Sequence, residues 1–345
     1  MGRDRLLIIA AFFCTYVIWG STYLANYWAI ESLPPFGMSG TRFLTAGALM
    51  YGYSRWRDAH RGADAGAGGV LDAGMGVRDV ETQNFASLHP GMTAAREWRN
   101  TAIIGILFLS IGTGAVVWAQ QWIPTSTAAL IIAFEPLLVM FMMWGALGNR
   151  PPLKAFFGAA ISICGMALLI GQPESIGGTG PGAFYGLCAI AIGMTCWGSG
   201  MLLRQRLEFS DDQIRTTGMM MLSGGACLLL FSLVQNEWAG WSFAQLTSKT
   251  IGAWFFLVFF GSILAFTAFN YLLARVSAEK VATNTYVNPV VAVLLGALLN
   301  NETVTGQSIL AGVVLLTGVY FINSAKKEPT EVVGEVENDP VAEPV

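Results

Sequence analysis

Long apolar runs separated by short polar stretches dominate the chain, and ten of them approach or reach the roughly 20 residues that a helix needs to cross a bilayer. They occupy residues 6–30, 36–54, 101–122, 126–147, 153–171, 181–203, 214–234, 251–273, 281–299 and 304–323. None sustains the apolar–polar alternation of a membrane strand, and hydrocarbon offers no water to unpaired backbone groups. The pattern therefore predicts an all-α integral membrane protein with ten transmembrane helices.

Composition strengthens this reading. Charged residues make up 12% and hydrophobic ones 54%, where a soluble domain carries about a quarter charged. The net charge of -3 leaves no basic surface to track nucleic acid. Cys14, Cys164, Cys188, Cys196 and Cys227 all fall in apolar runs without C-x-x-C spacing, so they read as small packing residues. His60 and His89 have no partners at ligand spacing, so neither a metal site nor a cofactor is expected. Arg3 and Arg5 precede the first run as in a signal peptide. That run continues through Trp19, Tyr27 and Trp28 without an A-x-A-like cleavage site, so it is expected to be a first span. Placing the N-terminus in the cytoplasm puts 17 of the 19 basic residues on that side, with Lys249 outside and Arg42 within a span. Both termini are then expected to be cytoplasmic.

An internal repeat organises the spans. Trp19-Gly20-Ser21 recurs as Trp197-Gly198-Ser199, and at an offset of 153 Glu135 aligns with Asn288, Pro136 with Pro289 and Gly165 with Gly318. Two five-helix repeats are predicted, over 1–54 with 100–171 and over 172–324. Because each holds an odd number of spans, the second must enter from the opposite side, an arrangement that transporters use to build a midplane site. Residues 55–99, Gly- and Ala-rich with six basic and six acidic side chains, are expected to be a largely disordered cytoplasmic insertion. The acidic tail over 325–345 is expected to be disordered too.

Polar groups inside spans carry the functional information, because an ionised side chain at a helix centre costs about 2.5–3.5 kcal/mol. Glu135 lies near the middle of its span beside Pro136, whose ring frees a carbonyl one turn earlier. It could accept a proton or bind a cation, or it could only fix helix packing. Arg42 could clamp an anion, pair with Glu135, or serve close packing among Ser39, Gly40, Ala46 and Gly47. Thr15, Trp19, Thr22 and Asn26 follow helical spacing along one face of the first span. Trp118 and Gln121 do so in the third. Trp197, Asn270, Tyr271, Tyr286 and Asn288 are further candidates for a cavity of mixed character. Pro136 and Pro289 mark helix breaks. Tyr27, Trp28, Trp122, Trp238 and Trp241, near span ends, read as interface anchors.

The stretches WGSTYLANYWAIESLPPFGMSGTRFL and YVNPVVAVLLGALLNNETVTGQSILAGVVLLTGVYFI, with the E-P of the fourth span, resemble the two EamA domains of the drug/metabolite transporter superfamily. The resemblance covers most of residues 6–323. It implies ten helices around a central cavity in a bacterial cytoplasmic membrane, and export of amino acids, related metabolites or drugs as a monomer or homodimer. It also implies that the first, third, fourth, sixth, eighth and ninth helices line the path. The small multidrug members of the superfamily use an acid in their first helix; this chain has none there, so Glu135 would have to substitute. Proton antiport and passive facilitation are both left open. An intramembrane enzyme is disfavoured because the spans hold no histidine and one deep acid. A non-transporting receptor or scaffold is a weaker alternative.

Overall fold

The computed structural model describes residues 3–68, 93–148, 150–172, 180–204, 206–273, 275–276 and 284–324. Its helices are α1 (Asp4–Ile30), α2 (Pro35–Gly68), α3 (Ala94–Ala119), α4 (Thr125–Ile132 and Glu135–Leu147), α5 (Leu153–Ile170), α6 (Pro181–Arg204), α7 (Gln213–Val234), α8 (Ser248–Phe269, running on to Leu273), α9 (Asn284–Leu299) and α10 (Gly306–Ser324). All are long and apolar enough to cross a membrane except α2 and α9. In α2, Arg42 and small polar residues dilute the apolar half; α9 is apolar but has 16 residues.

Two boundaries differ from expectation. Residues 55–68, expected as loop, continue α2, and 94–99 form the first turns of α3. The charges there mark a helix leaving hydrocarbon rather than a helix ending. Neither proline nor glycine interrupts residues 53–61, and Arg57 is held 2.5 Å from Asp212. Burial works against the Asp212 charge, but hydrogen bonds from Ser54, the Arg215 backbone and Arg57 outweigh it and hold the carboxyl below its ordinary range. Thr93 caps α3 by accepting from the Arg96 amide. The remainder of the expected insertion, 69–92, and the tail over 325–345 lie outside the described residues.

Contacts sort the two ends of the bundle. At one end Glu302 meets Thr125 and Ser126, Glu237 meets Gly37, and Lys249 meets Glu31. At the other, Arg57 meets Asp212, Arg96 meets Glu208 and Arg215 meets Glu97.

Glycines let the helices approach closely, as expected where lipid gives no hydrophobic drive for association and close packing must supply it. Gly40 and Gly47 of α2 meet Gly225 and Gly218 of α7 in an antiparallel crossing. On α5 and α10, Gly158 and Gly165 face Gly318 and Leu315 in the same manner. A Cβ on Gly318 would stand 2.5 Å from the Gly158 carbonyl oxygen and the Ser162 backbone nitrogen, so a side chain there has to push the α5 and α10 backbones apart. Gly318→Leu is expected to cost about 3 kcal/mol or more and Gly318→Ala less, read as melting temperature in detergent. An unchanged melting temperature for the leucine variant would contradict this packing.

Candidate functional site

Backbone irregularity is concentrated in five helices. π-helical segments interrupt α1 at Cys14–Ile18, α3 at Ile106–Thr113 and α8 at Leu257–Leu264. The α4 helix breaks at a turn over 133–134, whereas Pro289, expected as a break, leaves α9 continuous over Asn284–Leu299 and removes only one intrahelical donor. Such segments are frequent at functional sites because they release backbone groups and turn side chains off the regular face. The helices pack in the order α1, α9, α4, α6, α3, with α8 on the other flank of α1 and α2 bridging α8 and α3. All five irregular helices border one central region.

Glu135 opens the second half of α4, immediately after the turn, with Pro136 at the following position where no intrahelical donor is needed. Its Oε1 is sealed from solvent and has no hydrogen-bond partner among the described residues. Asn288, which aligns with Glu135 at an offset of 153 in the sequence, does a different job. In the orientation that satisfies its amide, its nitrogen lies 3.1 Å from the Tyr16 carbonyl and 3.2 Å from that of Thr15, inside the π segment of α1. Gly20, one turn on, lets α9 approach: a Cβ there would stand 2.6 Å from Val291.

Arg42 is 4% exposed and does not pair with Glu135. Its Nε donates to Ser262 Oγ at 2.9 Å and its Nη1 to Asn26 Oδ1 at 3.0 Å, joining α2 to α8 and α1. Thr15 is buried and donates to the Phe12 carbonyl, while Thr22 donates to the Trp19 carbonyl at 2.6 Å. Trp19 packs against Phe266 at 5.4 Å and Phe269 at 5.1 Å. The structure thus brings Trp19, Thr22, Asn26 and Arg42 together where α1, α2 and α8 meet.

Other candidates lie elsewhere. Trp197 stacks on Phe108 at 4.5 Å, between α6 and α3. Trp118 is one residue from the end of α3 and edge-on to Trp122, so it is not at depth. Gln121 lies past that helix end, where helical spacing no longer applies; its neighbour Gln120 is the buried one, donating to the Tyr23 carbonyl at 2.8 Å. Tyr271, near the end of α8, sits 3.9 Å beneath the Arg275 guanidinium. Tyr286 accepts from Asn323 at 2.7 Å, tying α9 to α10. The Asn270 side chain lies outside the described residues.

A cavity of about 780 Å³ lies between α4, α9 and α10, toward the Glu302 end. Of the residues singled out in the sequence as site candidates, only Gln121 and Pro289 line it, and its apolar wall includes the outward-facing Val290, Leu294 and Val313. Glu302, which sequence reasoning missed, holds its rim. Its carboxylate accepts from the backbone amides of Thr125 and Ser126 at 3.0 Å each and from both their hydroxyls, satisfying donors that every helix start leaves free. An acid at the end of an apolar run, opposite a Thr-Ser helix start, was the only signal for it. Glu237 does likewise for α2, accepting from the Gly37 amide at 3.0 Å.

The model of the EamA-like transporter family matches residues 85–171 and 184–324. The chain belongs to the EamA-like transporter family. Among similar EamA proteins, the inner membrane transporter YedA of Escherichia coli (strain K12) is 31% identical over 329 residues, 94% of this chain and 93% of that protein. A protein of the same organism described as "Probable amino-acid metabolite efflux pump" is 22% identical over 310 residues, covering 88% and 91%. A solved crystal structure 18% identical in sequence superposes with a TM-score of 0.56 over 92% of this chain and 96% of that one. By family this EamA chain is therefore a transporter, and its long apolar helices make it a multi-pass membrane protein.

Proposed function

We propose that the protein exports small amphiphilic organic metabolites from the bacterial cytoplasm by alternating access, with Glu135 as the proton-coupling group. In this reading all ten helices span the membrane as two inverted five-helix repeats, both termini are cytoplasmic, and the Glu302 end faces outward. The basic residues support that orientation, since Lys249 is the lone lysine or arginine near the Glu302 end among the described residues. The antiparallel glycine crossings of α2 with α7 and of α5 with α10 support the repeat. Rocking of one repeat against the other would draw on the α4 turn and the three π segments as its soft points.

One observation carries the proposal: a carboxyl with a sealed, unpartnered oxygen stands at a break in a helix that borders the central region. Buried acids of this kind in membrane helices mark substrate and proton pathways. The test is flux from proteoliposomes holding the purified chain, loaded with a panel of amino acids and related metabolites, with and without a pH gradient. Saturable efflux above protein-free vesicles, stimulated by the gradient, is the expected result. Flux indifferent to the gradient would make the protein a passive facilitator, and no flux of any solute would remove the transport reading for a receptor or scaffold.

A further inference from the structure

The guanidinium of Arg42 is buried, charged and only partly satisfied. It offers five N–H donors and never loses its proton under ordinary conditions. Two of those donors are used, on Ser262 Oγ and Asn26 Oδ1, both neutral acceptors. The other three, one on Nη1 and two on Nη2, have no acceptor among the described residues, and no carboxylate lies within 4.0 Å. The Phe43 ring, 4.8 Å away, supplies only a weak counter-field. A guanidinium placed merely to join three helices would be matched by an acid or have its donors used up, because leaving them bare in a dry interior is costly.

Space is kept beside the free donors. The Nη2 atom is not sealed from its surroundings, and Gly261 keeps it uncrowded on one side: a Cβ there would stand 3.3 Å from Nη2 and 3.0 Å from Thr22 Cγ2, closer than ordinary packing. Along the same two helices the surroundings change from polar to apolar. Ser262 is one turn from Phe266 on α8, and Asn26 is two turns from Trp19 on α1, where the Trp19, Phe266 and Phe269 rings meet.

We propose that the unused donors of Arg42 are the docking point for a carboxylate, with no side chain at position 261 to crowd Nη2, and that the transported solutes are monocarboxylates whose apolar body lies toward Trp19 and Phe266. Two parallel N–H donors of a guanidinium fit a carboxylate bidentately, which neither an ammonium nor an amide side chain can do. The aromatic wall then selects for an apolar remainder rather than a second charge. This assignment rests on the transport reading for the word solute, but the site itself is tested by binding.

The probes are 3-phenylpropionate and octanoate, each against its primary amide, with chloride as the inorganic anion, read by thermal stabilisation and tryptophan fluorescence of the detergent-purified full chain. Acid is expected to bind about tenfold or more tightly than amide, the usual worth of a charge-assisted hydrogen bond. Arg42→Gln is expected to remove that preference, and Arg42→Lys to restore only some of it. Because Arg42→Gln could unfold the chain, Gly261→Ala provides the second arm: it keeps the charge, crowds Nη2, and is expected to weaken acid and isosteric amide alike, whereas unchanged acid binding in this variant would overturn the placement. No preference for acid over amide in either pair would overturn the proposal. Protection by chloride alone would overturn it too, assigning the guanidinium to an inorganic anion. Loss of acid preference in the variants without loss of wild-type flux would separate this site from the transport reading, which stands or falls on flux.

Discussion

Replacing Glu135 by glutamine is expected to abolish solute accumulation driven by a pH gradient while leaving downhill exchange close to the wild-type rate. The substitution keeps the shape and the hydrogen-bonding reach of the side chain and removes only its ability to exchange a proton. Oε1 has no donor among the described residues, and the next residue, Pro136, cannot supply one. A carboxylate so placed gains from any partner that neutralises it, whether a proton, a cationic group of the solute or an ion-pair mate. Arg42 is not that mate, because its hydrogen bonds go to Asn26 and Ser262. In the proposed mechanism proton and solute then compete for this group, the minimal chemistry of antiport. Accumulation and counterflow measured in the same proteoliposomes separate coupling from translocation. Accumulation unchanged in Glu135→Gln would move proton coupling to another group.

The rods themselves were legible in the apolar pattern. The end of α2 moved by fourteen residues, the start of α3 by seven and the starts of α8 and α9 by three, while the remaining ends lie within three residues of where the pattern placed them. What the pattern concealed is informative. It placed the break of α4 at Pro136, but the chain turns at 133–134, so Glu135 and Pro136 begin a helix instead of interrupting one. The π segments left no mark in residue types, since Val, Ile, Leu and Phe are equally at home in a regular turn. Yet one such segment in α1 widens the spacing between Thr15 and Trp19, and a single extra residue turns the face that follows by about 100°. Asn288 showed as polar at depth, but that it serves the carbonyls of Thr15 and Tyr16 depends on a contact between helices 273 residues apart in sequence. The same holds for Glu302 on Thr125, and for Ser262, which only the fold brings to Arg42. Pairwise chemistry between distant spans is written in geometry, which one sequence does not display.

Removing the guanidinium of Arg215 is expected to cost more stability than any other single charge removal at the Arg57 end of the bundle. Arg215 Nη2 lies 2.7 Å from Glu97 Oε2, and the two side chains are 7% and 0% exposed. Neither group is fully satisfied: Glu97 Oε1 and Arg215 Nε have no partner among the described residues. The pair is therefore poor as a source of net stability, since desolvating both charges offsets most of their attraction. Breaking it is a different matter. Arg215→Met strands a fully buried carboxylate at the junction of α3 and α7, at a cost of about 3–5 kcal/mol. Adding Glu97→Leu to that variant is expected to recover most of the loss, because two apolar side chains of similar volume carry no desolvation penalty. The measurement is thermal unfolding of the two single variants and the double variant in one detergent. Recovery in the double variant would show that the penalty lies in the orphaned charge; equal losses in the single and double variants would show instead that the pair itself holds α3 against α7. The outcome bears on transport because α3 carries a π segment, Ile106–Thr113, only nine residues beyond Glu97. If the pair does hold α3 against α7, bending of α3 during transport would fall to the π segment, where the helix faces Trp197.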